Sequence, residues 1–190
     1  MNTAAIQIFK NNLTWKILAY FLAHPSVEVY VKELARRLKV GPTNANNALR
    51  TLEEMALLQR QGKARAHFYS LNNDSVIVKH LKIAYFLARL EHAKLIDRFL
   101  EVDEDLISLC IYGSFADGRF DEKSDLDLII ISHKEKLAFN SALSELERAL
   151  NLEINIEVFS LLKWKRVKEQ DKGFYQEVMA SHVLLYGSQI

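Results

Sequence analysis

The sequence predicts an α+β protein of two unlike modules joined by a long helix, and three observations carry that prediction. Charge is divided: residues 1–72 hold 10 Lys and Arg against 4 Asp and Glu, a net of 10 − 4 = +6, and residues 73–190 hold 15 against 20, a net of 15 − 20 = −5. Apolar residues first recur at helical spacing and then give way to a short hairpin pattern before residue 72. In the second half, two apolar strand-like runs, Leu106–Tyr112 and Leu126–Ile131, bracket a polar stretch with glycines. A basic module suits a polyanion and an acidic one suits metal ions.

At 190 residues, 49% hydrophobic and 26% charged, the chain has the composition of a globular protein rather than a disordered or fibrous one. No apolar run approaches the roughly 18 residues that would span a bilayer, so no membrane partner is expected. The short run Ile17–Ala23 leads into His24-Pro25 rather than a small-residue cleavage site, so no signal peptide is expected either. The lone cysteine, Cys110, leaves no internal disulfide and no cysteine-based metal site, and a cytoplasmic location follows as an expectation.

In chain order, Trp15, Ile17, Leu18, Phe21 and Leu22 mark a first helix that ends at Pro25. Val31, Leu34, Ala35 and Leu38 share one face of a second. Gly41-Pro42 then makes a turn that places proline in the first turn of a third, about Thr43 to Met55. There Ala45, Ala48, Leu49, Leu52 and Met55 point inward, leaving Thr43, Asn44, Asn46, Asn47 and Arg50 outside, where amide, hydroxyl and guanidinium groups can meet base edges and phosphates. Residues 57–60 and 66–71 read as hairpin strands about a Gln61-Gly62-Lys63 turn flanked by Arg60 and Arg65. This order of three helices and a basic hairpin resembles the winged helix-turn-helix family over roughly residues 10–72. The resemblance implies double-stranded DNA as partner, with Thr43, Asn44, Asn46, Asn47 and Arg50 facing the groove and Lys63 and Arg65 on the wing. A helical domain with a solvated polar face, or one that contacts protein, is the plainer alternative.

Asn72-Asn73-Asp74-Ser75 is polar and cap-rich, so the first domain is placed at residues 1–72. A connecting helix is expected over 73–102. Val78, Leu81, Tyr85, Ala88, His92, Leu95 and Phe99 form a heptad-like stripe, with Ile83, Phe86, Leu87 and Leu90 on another side. Two apolar faces imply two packing partners, one of them expected to be a second copy of the chain, a homodimer.

The third segment, 103–190, holds the string GSFADGRFDEKSDLDLIII. A Gly-Ser pair after a strand lets backbone N–H groups and a hydroxyl approach a phosphate. Carboxylates at i and i+2 of a strand point the same way and can ligate one hard divalent cation. The string resembles the minimal nucleotidyltransferases of the polymerase-beta-type superfamily, in which Gly-Ser is followed after ten residues by Asp-x-Asp. Gly113, Ser114, Asp125 and Asp127 fill those positions, and Phe115 stands where many relatives carry Arg. The resemblance implies a C-terminal mixed-sheet nucleotidyltransferase fold and a third acid on a later strand. In LEINIEVFS that acid is assigned to Glu157, with Glu153 as its rival.

It further implies that Asp125, Asp127 and Glu157 hold two Mg²⁺ ions, or Mn²⁺ in their place. Gly113 and Ser114 would hold the triphosphate of an NTP such as ATP, and a nucleoside monophosphate would pass to an acceptor. Two readings of function follow. One is a magnesium-dependent transferase coupled to a DNA-binding module, acting on a macromolecular acceptor or on a partner protein in the manner of an antitoxin and its toxin. The other is a DNA-binding transcriptional regulator whose transferase-like domain only binds nucleotide or a partner.

Overall fold

A computed structural model describes residues 12–63 and 66–190. The chain forms two compact units: one runs to Ala88 and takes in Gly118–Lys123, and the other comprises Arg89–Asp117 and Ser124–Ile190.

In the first unit, Asn12 caps helix α1 (Leu13–Ala23) by accepting a hydrogen bond from the Trp15 amide. Strand β1 (Glu28–Tyr30) leads into α2 (Val31–Leu38), which ends on Lys39 in the left-handed region, φ 54°. Helix α3 (Pro42–Glu54) begins with its proline, whose missing N–H costs nothing in a first helical turn. Strands β2 (Leu58–Lys63) and β3 (Ala66–Leu71) form the hairpin, and β1 pairs with the other edge of β3, giving the antiparallel order β1-β3-β2. The three-residue β1 is too short to show alternation in sequence. Ile17, Phe21, Leu22, Leu34 and Leu49 are fully buried between the helices and this sheet.

The single helix expected over 73–102 is instead two, α4 (Val76–His92) and α5 (Leu95–Val102), separated at Lys94 with φ 56°. The apolar stripe is divided with it. Val78 and Ala88, with Leu81 and Tyr85, belong to the core of the first unit. Leu95 and Phe99 are buried in the second, where Phe99 stacks on Phe139 with centroids 5.6 Å apart.

The second unit is built on a four-stranded mixed sheet, β6-β5-β4-β7. Strand β4 (Ser108–Tyr112) runs into a single helical turn, α6 (Ser114–Asp117), and then β5 (Leu126–Ile131) returns antiparallel to it. A 3₁₀ turn (Lys136–Phe139) and α7 (Asn140–Leu150) cross over to β6 (Ile154–Phe159), parallel to β5. Helices α8 (Leu161–Gln170) and α9 (Lys172–Ala180) precede β7 (His182–Gly187), which closes the other edge against β4. Trp164, Val167 and Val178 from the two helices cover Ile129 and Ile131. Cys110 is buried in β4, and burial pushes its thiol up.

Within the first unit, the segment Gly118–Lys123 is held closely. Gly118 has φ 77°, and a Cβ there would stand 2.4 Å from the Lys79 carbonyl oxygen. Phe120 is buried, its ring 5.6 Å from that of Phe86 and 4.5 Å from the Lys82 ammonium, which also donates to the Phe120 carbonyl. The Ser26 amide donates to Glu122 Oε1 at 3.0 Å. No helix among the described residues is long and apolar enough to cross a membrane.

Candidate active site

Asp127 is the one residue of β5 that is not buried, a carboxylate in an otherwise apolar strand. An ionised group keeps such a place only where something polar answers it. Its register partners are Tyr112 on β4 and Asn155 on β6, so the three side chains form a row across the sheet. The Asn155 amide donates to Asp127 Oδ1 at 3.3 Å. Asp125, two residues earlier, and Glu157, two residues beyond Asn155, extend the same face by strand alternation.

Gly113 closes the row from the end of β4. It lies at φ 70°, and a Cβ there would stand 2.9 Å from Asp127 Oδ2. The glycine is thus required twice, for the left-handed turn into α6 and for the close approach of the carboxylate. The Gly-Ser and Asp-x-Asp parts of the string, ten residues apart in sequence, meet at this contact.

Electrostatics mark out the neighbours. Burial, assisted by Asp125 and Glu177, pushes the Asp127 carboxyl up, and the Asn155 hydrogen bond opposes this. The Tyr112 phenol is pushed up to about 12, first by burial and then by Asp127, Glu157 and Glu177. Glu177 on α9 and Tyr112 are site residues that sequence reading missed. Glu177 lies one helical turn from Phe174, whose ring meets Tyr112 edge-on at 5.7 Å, a tertiary contact with no signal in the local sequence. Glu157 appears among the charges acting on Tyr112 and its rival Glu153 does not. Lys136 Nζ stands 3.9 Å from Glu157 Oε1, an exposed pair that contributes little.

These carboxylates are hard oxygen donors of the kind that suits Mg²⁺. The negative charges that help push Asp127 up are what a bound cation would offset. Among the described residues, however, no three His, Cys, Asp or Glu side chains are drawn close enough to hold a metal ion. Ser114 begins α6 beside Gly113, and Phe115 is turned into the core. Beside Glu157 a recess of about 330 Å³ is lined by Tyr112, Phe159, Phe174 and Gln170.

A family model described as polymerase beta, nucleotidyltransferase, matches residues 94–190, just over half of the chain. The chain belongs to this nucleotidyltransferase family. Its match begins at the break between α4 and α5 and contains every residue of the row just described. No curated protein matches the chain in sequence. Among solved structures, a toxin–antitoxin MntA-HpeT mutant is similar at 16% identity and a TM-score of 0.40, over 50% of this chain and 73% of that one. A tri-AMPylated Shewanella oneidensis HEPN toxin in complex with MNT antitoxin gives 16%, 0.37, 53% and 73% in the same terms. A possible transcriptional regulator from Methanosarcina mazei Go1 gives 16%, 0.33, 54% and 88%.

The other residues singled out in sequence lie in the first unit. Thr43, Asn44, Asn47 and Arg50 are exposed on α3, and Asn46 is half-buried there. Lys63 is the last residue of β2, and Arg65 lies outside the described residues.

Proposed function

We propose that this nucleotidyltransferase-family chain is an active Mg²⁺-dependent enzyme that transfers a nucleoside monophosphate from an NTP to a macromolecular acceptor, and that its first unit is a winged helix binding double-stranded DNA. The observation that carries the catalytic reading is the contact of Gly113 with the Asp127 carboxylate, because it joins the two halves of the family string at one point. Asp125, Asp127 and Glu157 would hold the metal, which supplies a lowered pKa for the attacking hydroxyl and neutralises charge on the phosphates. Gly113 and Ser114 present a backbone amide and a hydroxyl to the triphosphate. Asn155 orients Asp127, and the aromatic recess beside Glu157 offers room for a base or for the acceptor group. Positioning and charge neutralisation account for most of the rate in such chemistry.

The DNA reading is supported by the +6 charge of residues 1–72 and by the exposed polar row on α3 beside the hairpin. The second reading, a DNA-binding regulator that only binds nucleotide, is favoured by the acids standing apart and by Lys136 beside Glu157. The two separate in one experiment. Each NTP labelled at its α-phosphate is incubated with Mg²⁺, host extract and either the native chain or the Asp125→Asn/Asp127→Asn variant. Label transferred by the native chain alone establishes the transferase. Nucleotide binding without transfer by the native chain leaves the regulator.

A further inference from the structure

The first unit contains a concave site that the α3 row does not account for. A cavity of about 540 Å³ lies where the end of β1, the start of α2, one side of α3 and the β2–β3 hairpin converge. Lys32, Arg50, Arg60 and His67 line it from four different elements, with Asn46 and Tyr30 between them, and no carboxylate is among its lining residues. Nothing in the folding of this unit requires the gathering, since all four basic side chains are exposed and none belongs to the apolar core. Of these four, Arg60 alone has an ion-pair partner among the described residues, Glu53 on α3 at 3.0 Å, which is not one of the cavity's lining residues.

We infer that this cavity seats a phosphoryl group, and that its occupant is a phosphodiester of duplex DNA lying along α3. Convergent cations with hydrogen-bonding Asn and imidazole groups and no built-in acid are complementary to a compact, multiply charged oxyanion. A nucleic-acid source is favoured because Asn46 and Arg50 are one helical turn apart, and Thr43 and Asn47 form a parallel pair on the exposed side of the same helix. A strand anchored in the cavity therefore passes the groove-facing row. This changes the role of Arg50, which holds backbone rather than reading bases, and it adds Lys32, Arg60 and His67 to the interface. The inference rests on the DNA-binding part of the proposed function and is independent of the transferase.

The test uses the full chain with two probes: a fluorescein-labelled duplex of mixed sequence followed by anisotropy across a salt series, and inorganic pyrophosphate without Mg²⁺ followed by calorimetry. In Lys32→Ala/Arg60→Ala, duplex affinity should fall roughly tenfold and the log–log salt slope should shrink by about 2, one for each lost cation. Glu53→Gln should tighten binding by releasing Arg60, a change of sign that a folding defect does not produce. Duplex binding that both variants leave unchanged overturns the DNA occupant. Pyrophosphate binding lost in the double variant would then reassign the cavity to a free phosphate compound, and pyrophosphate binding also unchanged overturns the site. A native chain that binds pyrophosphate but no duplex refutes the groove reading alone, and one that binds neither refutes both.

Discussion

Gly113 and Asp127 constrain one another, and the energetics of the site start from that contact. Any side chain at 113 must adopt a left-handed backbone, at about 1–2 kcal/mol, and must also displace the Asp127 carboxylate. Gly113→Ala is therefore expected to lower stability by at least that amount in urea unfolding and to abolish label transfer. Asp127 has the opposite relation to stability. Its pKa is raised in the folded chain, so its contribution is fully present below the unfolded value, about 4, and is lost as pH rises through the folded value. At neutral pH the ionised carboxylate is a burden, and Asp127→Asn should raise the Tm of the metal-free protein while eliminating transfer. Adding Mg²⁺ should raise the Tm of the native chain but not of the variant, and equal melting of the two at pH 7 would refute the argument.

Among the elements, those with a strong period or a strong stop were legible in sequence, and those decided by packing were not. Pro25, the Gly41-Pro42 turn and the inward face of α3 as far as Leu52 mark their helices, whereas Met55, expected on that face, follows the last helical residue and is exposed. Strand β5 shows as an apolar run interrupted only by Asp127. Strand β1 forms because β3 offers it an edge, which a three-residue stretch cannot announce. The break at Lys94 was hidden because Ala93-Lys94 carries no glycine or proline, and the stripe continues through it. Lys94 adopts φ 56° because the two halves of the stripe belong to different cores. Lys94→Gly relieves that conformation and should stabilise the chain by about 0.5–1 kcal/mol in denaturant melts. In the site, the Gly-Ser and Asp-x-Asp residues could be read because their spacing is fixed along one stretch of chain. Glu177, Tyr112 and Asn155 join it only through the sheet register and the packing of α9, so no local pattern reveals them.

For the molecule as a whole, the division into units is not a single cut in the chain. The segment Gly118–Lys123, in the middle of the transferase string, is packed on α4 and on the turn before β1. A fragment comprising residues 89–190 would contain the whole family match and yet leave Phe120 without Phe86 and Lys82. That fragment is expected to melt below the intact chain and to aggregate. Phe120→Ser should improve its solubility, and the same change in the intact chain should cost about 3–5 kcal/mol, the range for emptying a buried aromatic site. Descent is constrained in the same way. An ancestor could not exchange its first module for another by recombination at residue 88 alone, because the new module would meet a loop shaped for the old one. Gly118, Phe120 and Glu122 should therefore vary among descendants in step with Lys79, Lys82, Phe86 and the turn at Ser26, and not with Asp125 and Asp127 a few residues away.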